Sequence, residues 1–93
     1  MNVRWQTQFK KDYRQMMKQN KNITELDFVI NELAVPNPLP EKYKDHALKG
    51  EYKGYRDCHI DPDWVLIYGY ETLENSEVQL LLVRTGSHSE LFE

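Results

Sequence analysis

Residues 64–70, Trp-Val-Leu-Ile-Tyr-Gly-Tyr, constrain the fold more than any other segment because they are apolar at almost every position. Successive side chains of a β-strand point to opposite faces of the sheet, so a strand that is apolar throughout needs cover on both faces. Residues 52–60 predict a strand before it, with a turn at Pro62 and Asp63. Residues 78–84 predict a strand after an acidic loop. The C-terminal half is therefore predicted to be an antiparallel meander with residues 64–70 in the middle.

The N-terminal third predicts one short strand and two helices. Residues 2–6 alternate as a strand, and Thr7 can cap a helix. Asn22 and Glu25 have the spacing of an N-terminal cap for a second helix. Apolar residues repeat at helical spacing in both segments: Phe9, Tyr13, Met16 and Met17, then Leu26, Val29, Ile30 and Leu33. This order predicts an α+β fold, with a helical hairpin on one face of a mainly antiparallel sheet of four to five strands and the other face open.

Three prolines separate the helices from the meander. Pro36, Pro38 and Pro40 predict an extended crossing, since proline cannot continue a helix and disfavours helical geometry before it. Leu39 and Tyr43 are the residues expected to hold this crossing against the body. Residues 41–54 are predicted to be an irregular loop. The chain of 93 residues, without repeats, predicts one domain over residues 1–93.

The cellular compartment is predicted from sequence features that the chain does not have. The sequence has no apolar run near the ~20 residues that cross a bilayer, and its first residues lack the apolar centre of a secretory signal. Cys58 is the only cysteine, so no internal disulfide can form. These features predict a cytoplasmic protein. The net charge is −3, but residues 1–22 carry +5 and residues 23–93 carry −8, so one basic face is compatible with an acidic body.

Two clusters in the C-terminal half point to phosphodiester chemistry. One lies within residues 56–64 and contains His59 and Asp63, and the other contains Arg84, His88 and Phe92. Histidine titrates near neutral pH and can give or take protons, and arginine can hold a phosphate. RNA supplies its own nucleophile, the 2′-hydroxyl. A protein therefore needs a base, an acid and a cation, and it needs no metal.

Three blocks of this sequence resemble the YafQ branch of the RelE/ParE toxin superfamily. They are YKDHALKG (43–50), YRDCHIDPDWVLIY (55–68) and RTGSHSELF (84–92), in family-like order and spacing. The resemblance implies a RelE-like fold and a ribosome-dependent endoribonuclease that cuts messenger RNA. The family's functional positions match His46, His59, Asp63, Arg84, His88 and Phe92, with Trp64 beside them.

Specific roles can be assigned from the chemistry. Arg84 is assigned as the phosphate clamp and His88 as the general acid. Either Asp63 or His59 is the base, and His46 orients or charges the site. Trp64 and Phe92 are candidates to stack on a base of single-stranded RNA. Arg56 and Lys53 are candidate substrate contacts, although Arg56 and its neighbour Asp57 fit a structural role equally well.

Each residue also has a purely structural explanation. His46 and His59 can be surface histidines, and His88 can simply help to end the chain's last turn. Arg84 can form an ion pair with Asp57 or Asp61. Trp64 can belong to the core, Phe92 can seal a sheet edge, and Asp63 can serve only the turn. No metal or other cofactor is expected, because the spacing of the three histidines matches no standard zinc site.

The resemblance also implies partners. A cognate antitoxin should bind the toxin, forming a heterocomplex that is possibly a heterotetramer. The ribosome and messenger RNA are the targets, operator DNA is reached only through the antitoxin, and no membrane is involved. Two other functions stay open: a ParE-like gyrase inhibitor, and a weakened non-catalytic homologue that acts through antitoxin binding and operator repression.

Overall fold

The computed structural model describes residues 1–35 and 37–92, which form an α+β structure. Three helices accompany one five-stranded sheet, whose strand order is β1-β5-β4-β3-β2. In chain order the elements are β1 (Val3–Trp5), α1 (Thr7–Lys18), α2 (Ile23–Ala34), β2 (His46–Ala47), β3 (Arg56–Asp61), β4 (Trp64–Thr72), β5 (Val78–Gly86) and α3 (His88–Phe92). Two short 3-10 turns, Glu41–Tyr43 and Gly50–Tyr52, flank β2. The fold class predicted from the sequence is confirmed.

The apolar strand β4 is central, as its composition predicts. It pairs antiparallel with β3 on one side and with β5 on the other. Its residues divide between two cores. Leu66 and Tyr68 face the helices, and Val65 and Ile67 face the opposite side of the sheet. β1 joins the edge of β5 in parallel, so the sheet is mixed at this edge.

Helices α1 and α2 cover one face of the sheet and close the larger core. Asn22 caps α2, its side-chain oxygen accepting from the backbone N–H of Glu25, as predicted. Two details differ from the prediction. Thr7 is the first residue of α1 and Gln6 is its cap position, because the backbone turns helical one residue early. Met17 is 54% exposed, since the apolar stripe of α1 is too narrow to turn this position inward.

The segment after α2 is held against the larger core, as predicted. Residues 41–54, predicted to be an irregular loop, contain regular structure. Tyr43 is buried in the larger core and Leu39 packs against that core. Pro36 lies outside the described residues. Between the two 3-10 turns, His46 and Ala47 pair with β3, which adds a fifth strand. The predicted strand at residues 52–60 starts later, at Arg56, because the second 3-10 turn occupies its first positions.

The second face of the sheet carries a smaller core under α3. Leu91 of α3 packs against the four apolar residues that β4 and β5 present on this side. A capping box starts α3: Ser87 N–H donates to Glu90, and the Ser87 hydroxyl accepts from Glu90 N–H. Gly69 is required here because a Cβ at this position would lie 2.7 Å from the ring of Tyr55. None of the helices in residues 1–35 and 37–92 has the length and apolar character that crossing a membrane demands.

A β-bulge in β5 determines which face Arg84 occupies. Ile67 pairs with Arg84, whereas the next residue, Tyr68, pairs with Leu82, so Val83 is the extra residue. Val83 and Arg84 consequently both lie on the side of Ile67, the face of the smaller core. β1 pairs with β5 only as far as Leu82, so the bulge begins directly after this pairing ends.

Candidate active site

Three imidazoles and one phenyl ring form a row on the face of the sheet opposite α1 and α2. The ring centroids of His46 and His59 lie 6.4 Å apart, and those of His59 and His88 lie 5.2 Å apart. The ring of Phe92 follows at 5.3 Å from His88, and Tyr52 meets Phe92 edge-on at 5.9 Å. We call His46, His59, His88 and Phe92 the histidine row. It joins β2, β3 and α3, which are far apart in the sequence.

Asp57 lies under the histidine row. It is 1% exposed and occupies β3 two residues before His59, so the two side chains share one face. Its Oδ1 is 2.9 Å from Nδ1 of His46. The same Nδ1 is 2.9 Å from the carbonyl oxygen of Lys44, and the hydrogen-bond geometry favours that carbonyl. Asp57 Oδ1 therefore has no aligned donor among the described residues.

Burial and the neighbouring charges shift the pKa values of Asp57 and His59. Burial raises the pKa of Asp57, and positive charge on the histidines acts in the opposite direction. Burial also lowers the pKa of His59, and the charges of His88, Lys44 and His46 lower it further, while Asp57 alone raises it. His59 is thus biased toward the neutral form, which can accept a proton. Repulsion between two adjacent imidazolium ions favours one neutral and one protonated ring.

A titration of the His59 ring tests this electrostatic arrangement. We expect its pKa to lie below the ordinary 6.5, and Asp57→Asn to lower it further by removing the one charge that favours the imidazolium. Because the folded pKa is depressed, the contribution of His59 to stability is present above pH 6.5 and is lost as the pH falls through the folded value. NMR chemical shifts of the ring against pH measure both effects. A midpoint above 6.5, or an upward shift in the variant, would contradict this assignment.

Arg84 pairs with Asp12 rather than with Asp57 or Asp61, the two partners considered from the sequence. Nε of Arg84 donates to Oδ2 of Asp12 at 2.7 Å, and Nη2 donates to Oδ1 at 3.2 Å. Thr85 N–H also donates to Asp12. Neither guanidinium bond uses Nη1. Tyr52 is a neighbour of Arg84 and contributes to raising its pKa, and Tyr52 in turn contacts Phe92.

Trp64 and Arg56, two predicted substrate contacts, lie on the opposite side of the sheet from the histidine row. Trp64 is 1% exposed within the larger core, where its indole N–H donates to the Thr85 hydroxyl at 2.8 Å. This burial contradicts a stacking role, because neither ring face is open to RNA. Arg56 precedes Asp57 in β3 and so points to the opposite face, where it donates to Asp45 at 3.0 Å. This bond fits the structural role considered for Arg56, and its role as a substrate contact stays a prediction.

Two more predicted residues lie at the surface, apart from the row. Asp63 is exposed in the β3–β4 turn, and its backbone N–H donates to the Asp61 side chain at 3.0 Å. Lys53 is exposed directly after the second 3-10 turn. Their roles remain predictions.

Sequence reasoning missed the importance of Asp57 and Asp12. Asp57 could have been recognised from strand periodicity, because a position two residues before His59 has to share its face. Asp12 is the only acidic residue among the first 22, and it lies on the apolar side of α1, three residues after Phe9. An isolated acid on a buried helix face needs a cationic partner.

The row also brings together a possible set of metal ligands. One ligand atom each from Asp57, His59 and His88 lie within 4.8 Å of one another. A carboxylate and two imidazoles are a common ligand set for Zn²⁺. The spacing argument from the sequence did not foresee this cluster, because the sheet joins β3 to α3 across the chain.

Comparison with known proteins gives consistent matches over the whole chain. The family model described as "Bacterial toxin of type II toxin-antitoxin system, YafQ" matches residues 1–93. The mRNA interferase toxin YafQ of Escherichia coli K12 is 39% identical over 92 residues, which cover 97% of this chain and 94% of that protein.

Two solved structures are informative for partners and metals. The crystal structure of the E. coli DinJ-YafQ complex matches with a TM-score of 0.79 and 38% identity, covering 99% of this chain and 98% of that chain. A metal-bound toxin from Helicobacter pylori matches with a TM-score of 0.84 and 40% identity, covering 99% of both chains.

Proposed function

The chain belongs to the YafQ family of bacterial toxins of type II toxin–antitoxin systems, and from this premise we propose that it is a ribosome-dependent endoribonuclease that cleaves messenger RNA. The observation that carries the proposal is the histidine row, which Tyr52 connects to Arg84. Two imidazoles whose centroids lie 5.2 Å apart can both reach one phosphodiester. We assign this activity to the single domain of residues 1–93 and to the cytoplasm, where messages are translated.

Cleavage requires two proton transfers. His59 takes the proton of the 2′-hydroxyl, whose oxygen then forms a bond to phosphorus. The bond between phosphorus and the 5′-oxygen breaks, and His88 donates a proton to that leaving oxygen. The products are a 2′,3′-cyclic phosphate and a 5′-hydroxyl. Each transfer typically contributes about 100- to 10,000-fold to the rate.

The geometry favours His59 over Asp63 as the base. His59 lies in the row beside His88, and its environment lowers its pKa. Asp63 lies in the exposed turn, where its backbone is bound to Asp61. Nδ1 of His46 lies 2.9 Å from the buried carboxylate of Asp57, and positive charge at His46 acts with burial to lower the pKa of His59. His46 and Asp57 therefore position and bias the base.

Arg84 is the cation that can balance the transition state. Asp12 holds the edge formed by Nε and Nη2, and Nη1, which neither of these two bonds uses, can donate to a phosphate oxygen. Phe92 is 39% exposed next to His88, so its ring can stack on a base beside the scissile phosphate. Tyr52 is half-buried and meets the ring of Phe92 edge-on, so it supports this ring.

We propose that cleavage needs no metal. The two imidazoles in the possible metal cluster are the groups assigned to proton transfer, and a bound ion would occupy their lone pairs. The metal-bound relative from H. pylori shows that an ion can bind to a protein of this fold. In this chain a bound ion is expected to compete with the reaction.

The proposed regulator is a cognate antitoxin. The E. coli relative was solved in complex with DinJ, so a protein partner that silences the toxin fits this family member as well. Operator DNA would be reached through that antitoxin.

The direct test uses purified toxin and ribosomes programmed with a defined message. We expect cleavage of the ribosome-bound message, and no change in rate with a chelator selective for zinc and copper, which leaves the Mg²⁺ of the ribosome in place. An intact message would contradict the nuclease, and inhibition of a gyrase supercoiling assay would then favour the alternative toxin class. Loss of cleavage in the chelator, restored by Zn²⁺, would contradict metal independence.

A further inference from the structure

A cavity of about 390 Å³ opens beside His59, the second ring of the histidine row. It lies between the first 3-10 turn, the start of α2 and the β3–β4 turn. β2 pairs with β3 only at Arg56 and Asp57, and within residues 1–35 and 37–92 no strand covers the edge of β3 beyond them. The volume is in the range of small-ligand sites. Because His59 belongs to both the row and the cavity wall, a strand of RNA that crosses the row can place its next nucleotide here.

Two lysines make this cavity suitable for RNA. Lys42 and Lys44 line it, and the Nζ of Lys42 lies 5.0 Å from the ring centroid of Tyr43. Lys44 adopts a left-handed backbone conformation, with φ of 49°, which ends the 3-10 turn. Its charge is felt at His59. Two ammonium groups beside the base for the reaction can hold the phosphate that follows the scissile one.

Glu25 supplies a fixed acceptor in the cavity wall. The hydroxyl of Tyr43 donates to Oε1 of Glu25 at 2.5 Å, and Tyr43 itself is 3% exposed. This hydrogen bond raises the pKa of Tyr43 to about 12, so the phenol stays a donor at working pH. Among residues 1–35 and 37–92, no second side-chain donor reaches the Glu25 carboxylate. A carboxylate accepts hydrogen bonds only, so the cavity presents an acceptor held in place by a buried tyrosine.

We propose that this cavity binds the nucleotide adjacent to the scissile phosphate, and that Glu25 selects a base with an exocyclic amino group over uracil. This inference rests on the proposed function and adds a specificity-determining residue to it. Adenine, cytosine and guanine offer amino N–H groups that a carboxylate can accept. Uracil has carbonyl oxygens beside its one N–H, and these repel a carboxylate.

Cytosine and uracil are the best-matched pair for a test, because they have the same ring and differ only in the group at C4 and in the proton on N3. Messages that are identical except for C or U at each position flanking the cut are placed on ribosomes, and the cleavage rates are compared. We expect at least one of these positions to favour C by about fivefold or more. Glu25→Gln should remove this preference, because its amide oxygen can accept from Tyr43 while its N–H₂ group donates to a carbonyl. Glu74→Gln, an exposed change in the β4–β5 turn, should keep it.

The outcomes separate this inference from the proposed function. If C and U messages are cut equally at every flanking position, or if Glu25→Gln retains the preference, base selection by Glu25 is overturned and the nuclease stands. If no message is cut, the free protein still provides a test. CMP should shift the NMR amide signals of Lys44 and Ile60 at lower concentration than UMP does. Equal shifts, or none, overturn the inference. Thermal unfolding of Glu25→Gln verifies that the variant is folded.

Discussion

His88→Ala is expected to slow cleavage of ribosome-bound messenger RNA by about 100- to 10,000-fold, because the leaving 5′-oxygen loses its proton donor. His88 is the first residue of α3 and lies between His59 and Phe92 in the row. The side chain is exposed, so its loss should leave the fold intact. Single-turnover cleavage at saturating toxin measures the chemical step, and growth of bacteria that express the variant without antitoxin measures toxicity.

The matched control for this change is Ser89→Ala, the next exposed position of the same short helix. It should cut at the wild-type rate and arrest growth. A His88→Ala protein that is folded and cuts within about tenfold of wild type would contradict the assignment of His88 as the general acid. Equal losses in both variants would attribute the effect to α3 rather than to the imidazole.

Asp12→Ala is expected to lower the free energy of unfolding by about 3 kcal/mol or more, because it leaves Arg84 and the Thr85 N–H without their buried acceptor. The side chains of Asp12 and Arg84 are only 10% and 26% exposed. For a domain of this size such a loss lowers Tm by about 12 °C or more. Urea and thermal unfolding measure it.

Asp27→Ala is the control for that loss. Asp27 lies on α2 and accepts one exposed hydrogen bond, from the Tyr13 hydroxyl at 3.0 Å. Its removal should cost less than about 1 kcal/mol. Equal losses of stability in the two variants would contradict a structural role for the bonds from Arg84 and Thr85 to Asp12. A folded Asp12→Asn protein provides a second measurement. Its free energy of unfolding should fall less than in Asp12→Ala. Its cleavage rate should still be reduced, because Arg84 is held less firmly.

Much of the fold could be predicted from the sequence, because it depends on local patterns. The two-sided apolar character of β4 predicts its central place, and the Asn22 cap predicts the start of α2. The predictions that were wrong concern features that depend on contacts between distant parts of the chain. Met17 continues a helical pattern yet faces solvent, and residues 41–54 contain a strand that only its pairing with β3 defines. Pairing partners are a property of the whole chain and leave little local signal.

The sequence indicated which residues are candidates for the site, but it did not predict how they are arranged in space. His46, His59, His88 and Phe92 were chosen from the sequence, and the structure brings them into one row. Their order in space depends on the register of β2 with β3 and on the turn before α3. The partner of Arg84 could not be predicted by simple alternation, because the bulge at Val83 changes the face it occupies. Trp64 was misassigned since an aromatic residue that begins a strand can point either way.

Asp57 is buried where the rings of His46, His59 and His88 converge, and positive charge on these histidines opposes the rise that burial causes in the pKa of its carboxyl. A substitution in the histidine row therefore also changes the protonation of a side chain that is only 1% exposed. Variants of the row should consequently alter how the free energy of unfolding depends on pH, in addition to the rate of cleavage.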